Sequence, residues 1–466
     1  MKNESFSQTP DPMGNEVIKH NKIIHGPILK TLTYLSLPIM FAMFLQMIYS
    51  LTDMFWVGRL GVNAVASITL SWPILFLITS FGNGLAIAGT ILVSQYKGKG
   101  DENQVNFISS QTFSLMCFMA LIFGVIGYFN SNFLISLMGA SPDVVLDAVK
   151  YLQVSFIGLI FTYVYFSFQS LMRGVGEVKI PLYIVFGTVI LNFILDPIFI
   201  LGYKLVPQFG VSGAAWTTII AQAISSIIGL GILIKGNKGI KLHLKDLKPN
   251  FKLFKKMFNL GFPSAIGQSV RSINMLVITF LVTGFGTVSV AAFGIGIRIL
   301  ALVIVPAVGF SMALSTMIGQ NMGAKKIDRA GKISNKGMLI SFLLLTLIGV
   351  LFFLFGKYLI VLFIPGETEV ILECTYFIKV MALTFGFVGI QMAIMGIFNG
   401  SGNTRKSMYI SIISLVFLLI FAIFLSRFTT MGVNGIWWAY PLSNISTALV
   451  AWILVSNGKW KDTKTI

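Results

Sequence analysis

Three ionisable side chains lie inside apolar runs that are long enough to span a membrane, and they are the first candidates for chemistry. Asp53 lies near the end of the first run, Asp196 in the fifth and Arg271 in the seventh. Because burying a charge in hydrocarbon is costly, such residues are functional candidates by default. Each of the two carboxylates could bind a cation or carry a proton.

The residues beside Asp196 favour a cation or a proton. Asn192 precedes Asp196 by four residues and therefore shares its helical face. Pro197 has no N–H, so it frees the carbonyl of Phe193 and predicts a kink beside the acid. A carboxylate, an amide oxygen and a free carbonyl suit a hard monovalent cation or a proton-bearing network. The structural alternative is a proline kink with Asn192 packed in the helix bundle.

Asp53 belongs to a polar stripe on the first run. Gln46, Tyr49 and Asp53 follow one another at spacings of three and four residues, so they share one face. A polar stripe on an apolar helix should face protein or water rather than lipid. Pro38, fifteen residues before Asp53, frees the carbonyl of Tyr34 and gives this helix a point at which it can bend.

The motifs of several other functions are missing from the sequence. His20, His25 and His243 lie outside the apolar runs, which excludes a histidine proton relay within the membrane. The sequence contains no G-x-x-x-x-G-K-[ST] motif, so the chain is not an ATP-driven pump by itself, and it has no G-x-S-x-G motif or zinc-ligand cluster. We therefore expect no enzymatic activity and no cofactor beyond a coupling ion.

The elements that must position these residues are membrane-spanning helices. Of the 466 residues, 56% are apolar and 11% are charged, whereas a soluble domain has about 25% charged residues. This composition predicts an all-α polytopic membrane protein with 12 transmembrane helices. The runs of spanning length lie near residues 31–56, 68–95, 111–129, 151–172, 180–202, 211–234, 259–284, 295–320, 337–356, 374–398, 408–426 and 433–456.

The basic residues predict the orientation of these helices. The net charge of +18 does not indicate nucleic-acid binding, because Lys and Arg lie between the apolar runs and no polar domain is present. Of the 34 Lys and Arg residues, 26 fall in the termini and the even-numbered connections, on one side of the membrane. We therefore expect a multi-pass protein of the cytoplasmic (inner or plasma) membrane with both termini in the cytoplasm.

The two halves of the chain repeat each other. Leu35-Ser-Leu-Pro38 reappears as Leu260-Gly-Phe-Pro263, 225 residues later. Since each half has six runs, the halves are expected to form two six-helix lobes related by a pseudo-two-fold along the membrane normal, with a cavity between them. Further pairs follow in the same order: Gly61 and Gly286, Ala88 and Ala313, Gln95 and Gln320, Gly98 and Gly323, Gly174 and Gly400, Gly210 and Gly432.

The repeat is broken where the charges lie. Ile278 occupies the position that corresponds to Asp53, and Arg271 occupies the position of Gln46. A purely structural acid would have less reason to appear in one half only, which favours a functional role for the two acids. Arg271 could line the cavity, pair across it with an acid of the first half, or hold helix carbonyls structurally.

A basic segment divides the two predicted lobes. Residues 235–256 contain eight lysines and one acid, Asp246. We expect a cytoplasmic linker that fixes topology, and its interspersed apolar residues leave an interfacial helix on anionic lipid as the alternative. The expected organisation is an N-terminal segment over 1–30, a first lobe over 31–234, the linker over 235–258, a second lobe over 259–456 and a tail over 457–466.

Four segments together resemble the MATE (multidrug and toxic compound extrusion) family. They are YSLTDMFWVG at 49–58, RGVGEVKIP at 173–181, NFILDP at 192–197 and GVSGAA at 210–215. The resemblance extends over about residues 30–456. It implies two six-helix lobes around a V-shaped cavity and export of cationic or amphipathic drugs against inflowing Na⁺ or H⁺.

The resemblance also implies roles for individual residues. In prokaryotic branches with a cation site in the first lobe, it implies Pro38 for helix bending and Gln46 and Tyr49 as cavity-lining residues, to which we add Arg271. Thr217 is the neighbouring alternative to Thr218, and either hydroxyl could instead bond to the preceding helical turn. The second lobe departs from branches with an acidic residue in the seventh span. The residues implied for the Na⁺ or H⁺ site are Asp53, Asn192, Asp196 and Thr218.

A lipid-linked precursor flippase of the same superfamily is the alternative function. Such flippases usually line their cavity with several basic residues that hold pyrophosphate, whereas here only Arg271 is available, since Arg298 and Lys379 belong to the span edges. The sequence therefore favours an exporter whose partners are small cationic or amphipathic molecules and membrane lipid. We expect a monomer.

Overall fold

The chain folds almost entirely into long helices. The computed structural model describes residues 22–203, 206–363 and 365–463. The helices of the first half are α1 (Ile28–Gly58), α2 (Val62–Lys99), α3 (Glu102–Leu137), α4 (Pro142–Val175), α5 (Lys179–Leu201) and α6 (Val211–Lys235). A 3₁₀ turn at Leu244–Leu247 lies between the halves. The second half contains α7 (Phe251–Thr283), α8 (Thr287–Gly323), α9 (Ile327–Phe363), α10 (Thr368–Ala382), α11 (Phe385–Gly400), α12 (Thr404–Arg427) and α13 (Val433–Ser456).

The prediction of 12 membrane spans is confirmed, with one span broken. Among the described residues, 11 helices are long and apolar enough to cross a membrane, and α10 with α11 forms a twelfth span bent by 54°. At the bend, Asn444 Nδ2 of α13 donates to Thr384 Oγ1 at 3.2 Å, and Gln391 Nε2 donates to the Asn444 carbonyl at 2.7 Å. Side chains of neighbouring helices thus stabilise an interruption that lipid alone would not tolerate.

Several helices extend beyond the apolar runs that predicted them. The helix α7 begins at Phe251, eight residues before the expected start of the span at 259. Asn250 caps it, because its side chain accepts a hydrogen bond from the Leu253 N–H at 3.1 Å. An apolar run marks the part of a helix within hydrocarbon, whereas the helix itself continues into the polar region.

The basic segment between the halves packs on the first lobe. The α3 side chains of Gln111 and Ser114 donate to the carbonyls of Asp246, Lys248 and Leu247 at 2.6–2.9 Å. The segment also buries Ile240 and Leu242. It is therefore an ordered strap with one 3₁₀ turn, and the alternative of an interfacial helix lying on lipid does not describe it.

The internal repeat is visible in the backbone. Gly61 and Gly286 precede α2 and α8 with φ of 108° and 102°, and Gly210 and Gly432 precede α6 and α13 with φ of 58° and 54°. These angles lie in the region that favours glycine over residues with a side chain. The two halves therefore use the same backbone turn at corresponding positions, which confirms the pseudo-two-fold repeat.

A reciprocal pair of hydrogen bonds joins the lobes. Gln95 Nε2 of α2 donates to the carbonyl of Gly400 at 3.0 Å, and Gln320 Nε2 of α8 donates to the carbonyl of Gly174 at 2.9 Å. Both glutamines are buried. Gly98 and Gly323 pack so closely on the facing helix that a Cβ atom would overlap its backbone. We call Gln95 and Gln320 the glutamine pair, and it lies near the face that carries the basic connections.

Helix α1 contacts both lobes. Its first half contributes Leu32, Leu35 and Ile39 to an apolar cluster with Phe310 and Ala313 of α8. Its second half packs with α5 in the first lobe. Pro38 lies inside the helix, which continues without interruption from Ile28 to Gly58. A single helix thus connects the lobe interface with the region that contains Asp53.

Candidate functional site

Asp196 is the buried centre of the candidate site. One oxygen, Oδ1, accepts hydrogen bonds from Asn192 Nδ2 at 2.8 Å and from Thr217 Oγ1 at 2.6 Å. All three residues have an exposed fraction of 0%. Asn192 reaches Asp196 because they are one helical turn apart on α5, and Thr217 reaches it from α6. Asn192 and Asp196, which the sequence places on one helical face, are therefore in direct contact in the structure.

Asp53 approaches the same centre from α1. Its carboxyl group lies beside Asp196, Asn192 and Thr218. Tyr49, one turn earlier on α1, places its hydroxyl beside Thr218. Three helices, α1, α5 and α6, thus bring the two acids together, although 143 positions of sequence separate them.

The cluster contains more buried acceptors than donors. Asp53 Oδ1, Asp196 Oδ2, Asn192 Oδ1 and Tyr49 Oη are buried and have no hydrogen-bond partner among the described residues. Neither carboxyl has a Lys or Arg within salt-bridge distance in the described ranges. Adjacent carboxylates without a counter-charge favour uptake of a proton or a small cation. Carboxylate, amide and hydroxyl oxygens are suitable ligands for Na⁺. Within the described chain, no group of three His, Cys, Asp or Glu residues could hold a metal ion.

The structure places both candidate threonines in the cluster. Thr217 contacts Asp196 and also donates to the carbonyl of Ala214 at 3.0 Å. The second contact is the hydrogen bond to the preceding helical turn that we considered from the sequence. Thr218 faces Asp53 and Tyr49 on the other side. The two threonines therefore contact different acids: Thr217 contacts Asp196, and Thr218 lies beside Asp53.

Tyr151 is a member of the cluster that sequence reasoning missed. Its hydroxyl lies near both Asp53 and Asp196. Tyr151 is the first residue of the predicted fourth run, and its position in the sequence has no helical spacing to Asp53 or Asp196. Tyr151 also packs on a small apolar cluster that includes Val57, Ile200 and Ala214. The cluster contains residues at the ends of α1 and α5 and at the start of α6, the same three helices that carry the acids and threonines.

Of the three residues predicted to line the substrate cavity, Tyr49 lies beside the acids, whereas Gln46 and Arg271 lie apart from them. Gln46 is exposed on α1, almost two turns before Asp53. Arg271 is exposed on α7, with one guanidinium nitrogen 3.4 Å from Met392 Sδ and 4.0 Å from Met395 Sδ. Within the described ranges it pairs with no carboxylate, so the suggested pairing with a first-half acid is wrong for this conformation.

The fold and the site define a polytopic membrane transporter built from two parallel six-helix lobes. Residues 38–198 and 263–424 match the MatE family, and the chain belongs to that family. It is 29% identical over 441 residues to the probable multidrug resistance protein YpnP of Bacillus subtilis, covering 94% of this chain and 97% of the relative.

Two further comparisons agree with this assignment. The chain is 23% identical over 440 residues to the multidrug export protein MepA of Staphylococcus aureus, covering 92% of this chain and 94% of that protein. A crystal structure of MATE in complex with MaL6 superimposes with a TM-score of 0.89 at 25% identity, covering 96% of this chain and all of the other. The predictions of family, of fold and of a transporter rather than an enzyme are confirmed.

Proposed function

We propose that this chain exports lipophilic cationic molecules by alternating access, coupled to the inward movement of Na⁺ or H⁺. The observation that carries the proposal is the facing pair of Asp196, which is fully buried, and Asp53, which is half-buried with a buried Oδ1. In the described ranges neither acid has a Lys or Arg within salt-bridge distance. A carboxylate pair in a low-dielectric region attracts a cation strongly. Relatives named as multidrug resistance and multidrug export proteins support the same class of cargo.

Asp53 is the residue through which ion binding acts on the helices. Asp196 is fixed by two donors from α5 and α6, whereas Asp53 belongs to α1, which also packs on the second lobe. Protonation of Asp53, or Na⁺ shared between the acids, removes the repulsion that separates them and draws the end of α1 toward α5. Bending at Pro38 would then change how α1 meets α8, so that ion and drug compete for one helix conformation.

The chain is proposed to lie in the plasma membrane as a monomer, with both termini in the cytoplasm. The distribution of Lys and Arg supports this orientation. The glutamine pair, which lies at the basic face, would then close the cavity toward the cytoplasm.

A lipid-linked precursor flippase is less well supported. The polar contacts of the Arg271 side chain among the described residues are the sulfur atoms of Met392 and Met395, whereas holding a pyrophosphate needs several cationic groups together. The facing acids would also repel that group.

Efflux from proteoliposomes tests the proposal. A fluorescent lipophilic cation is loaded, and Na⁺ and pH gradients are imposed separately. At least one gradient should drive efflux, and Asp53→Asn and Asp196→Asn should each abolish it. Both variants should still insert, because neutralising a buried acid lowers its desolvation cost.

The matched control is Asp147→Asn, an exposed acid on α4. It should transport at the wild-type rate. Wild-type efflux in Asp53→Asn or Asp196→Asn would show that the altered acid has no part in coupling.

A further inference from the structure

A large lateral cavity lies in the second lobe, away from the facing acids. It has a volume of about 1120 Å³ and is formed by the first half of α9, the start of α11, the end of α13 and the segment after α13. Its walls include Lys332, Met338, Phe342, Phe387, Trp452 and Lys461. Leu339 and Trp452 are exposed at its rim, so the cavity opens on the side of the helix bundle.

The cavity changes from polar to apolar along α9. Asp328, Lys332 and Asn335 lie at the end nearest the basic face, and Met338 and Phe342 follow deeper in the helix. Ten residues separate Lys332 from Phe342, which corresponds to about 15 Å along a helix. This is about the hydrocarbon depth of one leaflet, since the whole hydrocarbon core is about 30 Å thick. The cavity therefore matches a lipid molecule both in its length and in having a polar end that leads to an apolar interior.

Two lysines give the polar end its charge. Lys332 and Lys461 pair with no carboxylate within salt-bridge distance in the described ranges. Lys461 lies over α9, because a Cβ placed on Gly331 would be 3.4 Å from its Nζ, and the same Nζ is 5.9 Å from the Trp460 ring. Among the described residues that line the cavity Asp328 is the single acid, so Lys332 and Lys461 give the polar end a net positive charge.

The corresponding surface of the first lobe is covered. Asn106, Ser110 and Ser114 of α3 correspond, at the 225-residue offset, to the cavity-lining Gly331, Asn335 and Leu339 of α9. Asn106 accepts from the Lys241 N–H at 2.7 Å, Ser110 accepts from the His243 N–H at 3.4 Å, and Ser114 donates to the Leu247 carbonyl at 2.9 Å. The basic linker thus covers the surface of α3 that is equivalent to the cavity wall on α9.

We infer that the second-lobe cavity binds an anionic glycerophospholipid from the leaflet at the basic face. Its phosphate lies between Lys332 and Lys461, and one acyl chain follows Met338, Phe342 and Phe387 into the lobe. The lipid takes the place that the linker occupies in the first lobe, and it completes the pseudo-symmetric packing. This inference is independent of the transported substrate and of the coupling ion.

Native mass spectrometry of the full chain in detergent tests the inference. The protein is titrated separately with phosphatidylglycerol, phosphatidylcholine and diacylglycerol, with and without excess inorganic phosphate. One molecule of phosphatidylglycerol should bind in preference to the other two lipids. The double variant Lys332→Gln, Lys461→Gln should bind it about 30-fold more weakly, as expected for two lysines near an anionic head group. Lys336→Gln, an exposed lysine on α9 that does not line the cavity, should bind as the wild type does.

Fluorescence gives an independent readout of position. Brominated acyl chains quench tryptophan over short distances, and Trp452 and Trp460 line the cavity. Brominated phosphatidylglycerol should quench wild type and Lys336→Gln more than the double variant. Equal binding of the neutral and anionic lipids, an unaffected double variant, or loss of lipid binding in millimolar phosphate would overturn the inference, the last by indicating a site for phosphate alone.

Discussion

The two acids of the candidate site differ in how firmly they are held. In the part of the chain that the structure describes, Asp196 has two donors on one oxygen and none on the other, and Asp53 has a buried oxygen without a partner. The two donors hold the Asp196 carboxyl in one position. We therefore assign Asp196 the role of a fixed ligand and Asp53 the role of the group that responds to ion occupancy.

Thr217 provides a test of the fixed ligand. Thr217→Val keeps the shape of the side chain and removes the 2.6 Å donor to Asp196. A hydrogen bond to a charged group contributes about 1.5–3 kcal/mol, so the ion dependence of drug binding should shift by about tenfold or more. With Na⁺ as the coupling ion, more Na⁺ is needed to displace drug. With H⁺, drug binding falls at a higher pH, because the charged carboxylate has lost a stabilising donor.

The control for this prediction is Thr217→Ser, which retains the hydroxyl and should behave as the wild type does. Equal ion dependence in the Val and Ser variants would show that Thr217 does not act on the carboxylate.

The charged residues of the site could be predicted from sequence, and their partners only in part. Asp53 and Asp196 stand out because ionisable residues are rare in apolar runs, and Asn192 is one turn from Asp196. To choose between Thr217 and Thr218, one must know how α6 is rotated about its axis, and that rotation depends on packing. Tyr151 is brought to the acids by the packing of α4, which no local spacing records.

At the scale of elements, α1 links the acids to the lobe interface. Pro38 lacks the N–H that would bond to the Tyr34 carbonyl, and Leu35 and Ile39 on either side pack against α8. A bend at this position would move the half of the helix that carries Asp53 relative to the half held by the second lobe.

Pro38→Ala should slow drug efflux and leave drug affinity nearly unchanged at high pH without Na⁺, because α1 is already continuous in this conformation. Alanine restores the hydrogen bond and favours a straight helix by up to about 3 kcal/mol. Efflux rates and equilibrium binding of a fluorescent drug measure the two effects separately. Pro73→Ala, which removes a proline from α2, is the control. Wild-type efflux in Pro38→Ala would exclude bending at this position from the transport cycle.

The elements were predicted well where they are regular and less well where another helix alters them. The twelve apolar runs each correspond to a span, because hydrocarbon requires about 20 apolar residues. The break between α10 and α11 has Leu383 and Thr384 at its centre, and the nearest glycine, Gly386, already lies inside α11. Asn444, 60 residues away, contacts Thr384 at the break, and that contact depends on the packing of α13.

At the scale of the molecule, the glutamine pair joins the two lobes through corresponding residues. The repeat predicted that Gln95 and Gln320 occupy equivalent positions, and the structure shows that each donates to the other lobe. The bonds must break for the basic face to open. The docking of the linker on α3 was not predictable, because it depends on scattered side chains of α3 that the linker reaches only in the folded lobe.

The double variant Gln95→Leu, Gln320→Leu should open the basic face more often. Each substitution removes a hydrogen bond worth about 1 kcal/mol and leaves a glycine carbonyl unpaired, so the equilibrium should shift by about 30-fold. A single cysteine at Ser94, which is buried at this interface, reports opening in a background with Cys117 and Cys374 replaced by Ser. An impermeant maleimide should label it faster in the double variant.

The control is Gln104→Leu at an exposed position on α3, which should not alter labelling. Labelling of the double variant at the control rate would show that these bonds do not hold the lobes together.

The most direct test of the central claim is the equilibrium binding of a fluorescent lipophilic cation at varied pH and varied Na⁺. The account predicts that drug affinity weakens as pH falls or as Na⁺ rises, because the ion and the drug require different arrangements of Asp53 and Asp196. Asp53→Asn should bind drug with an affinity that is independent of both ions. A wild-type affinity that is indifferent to pH and to Na⁺ would contradict coupling through the first-lobe acids.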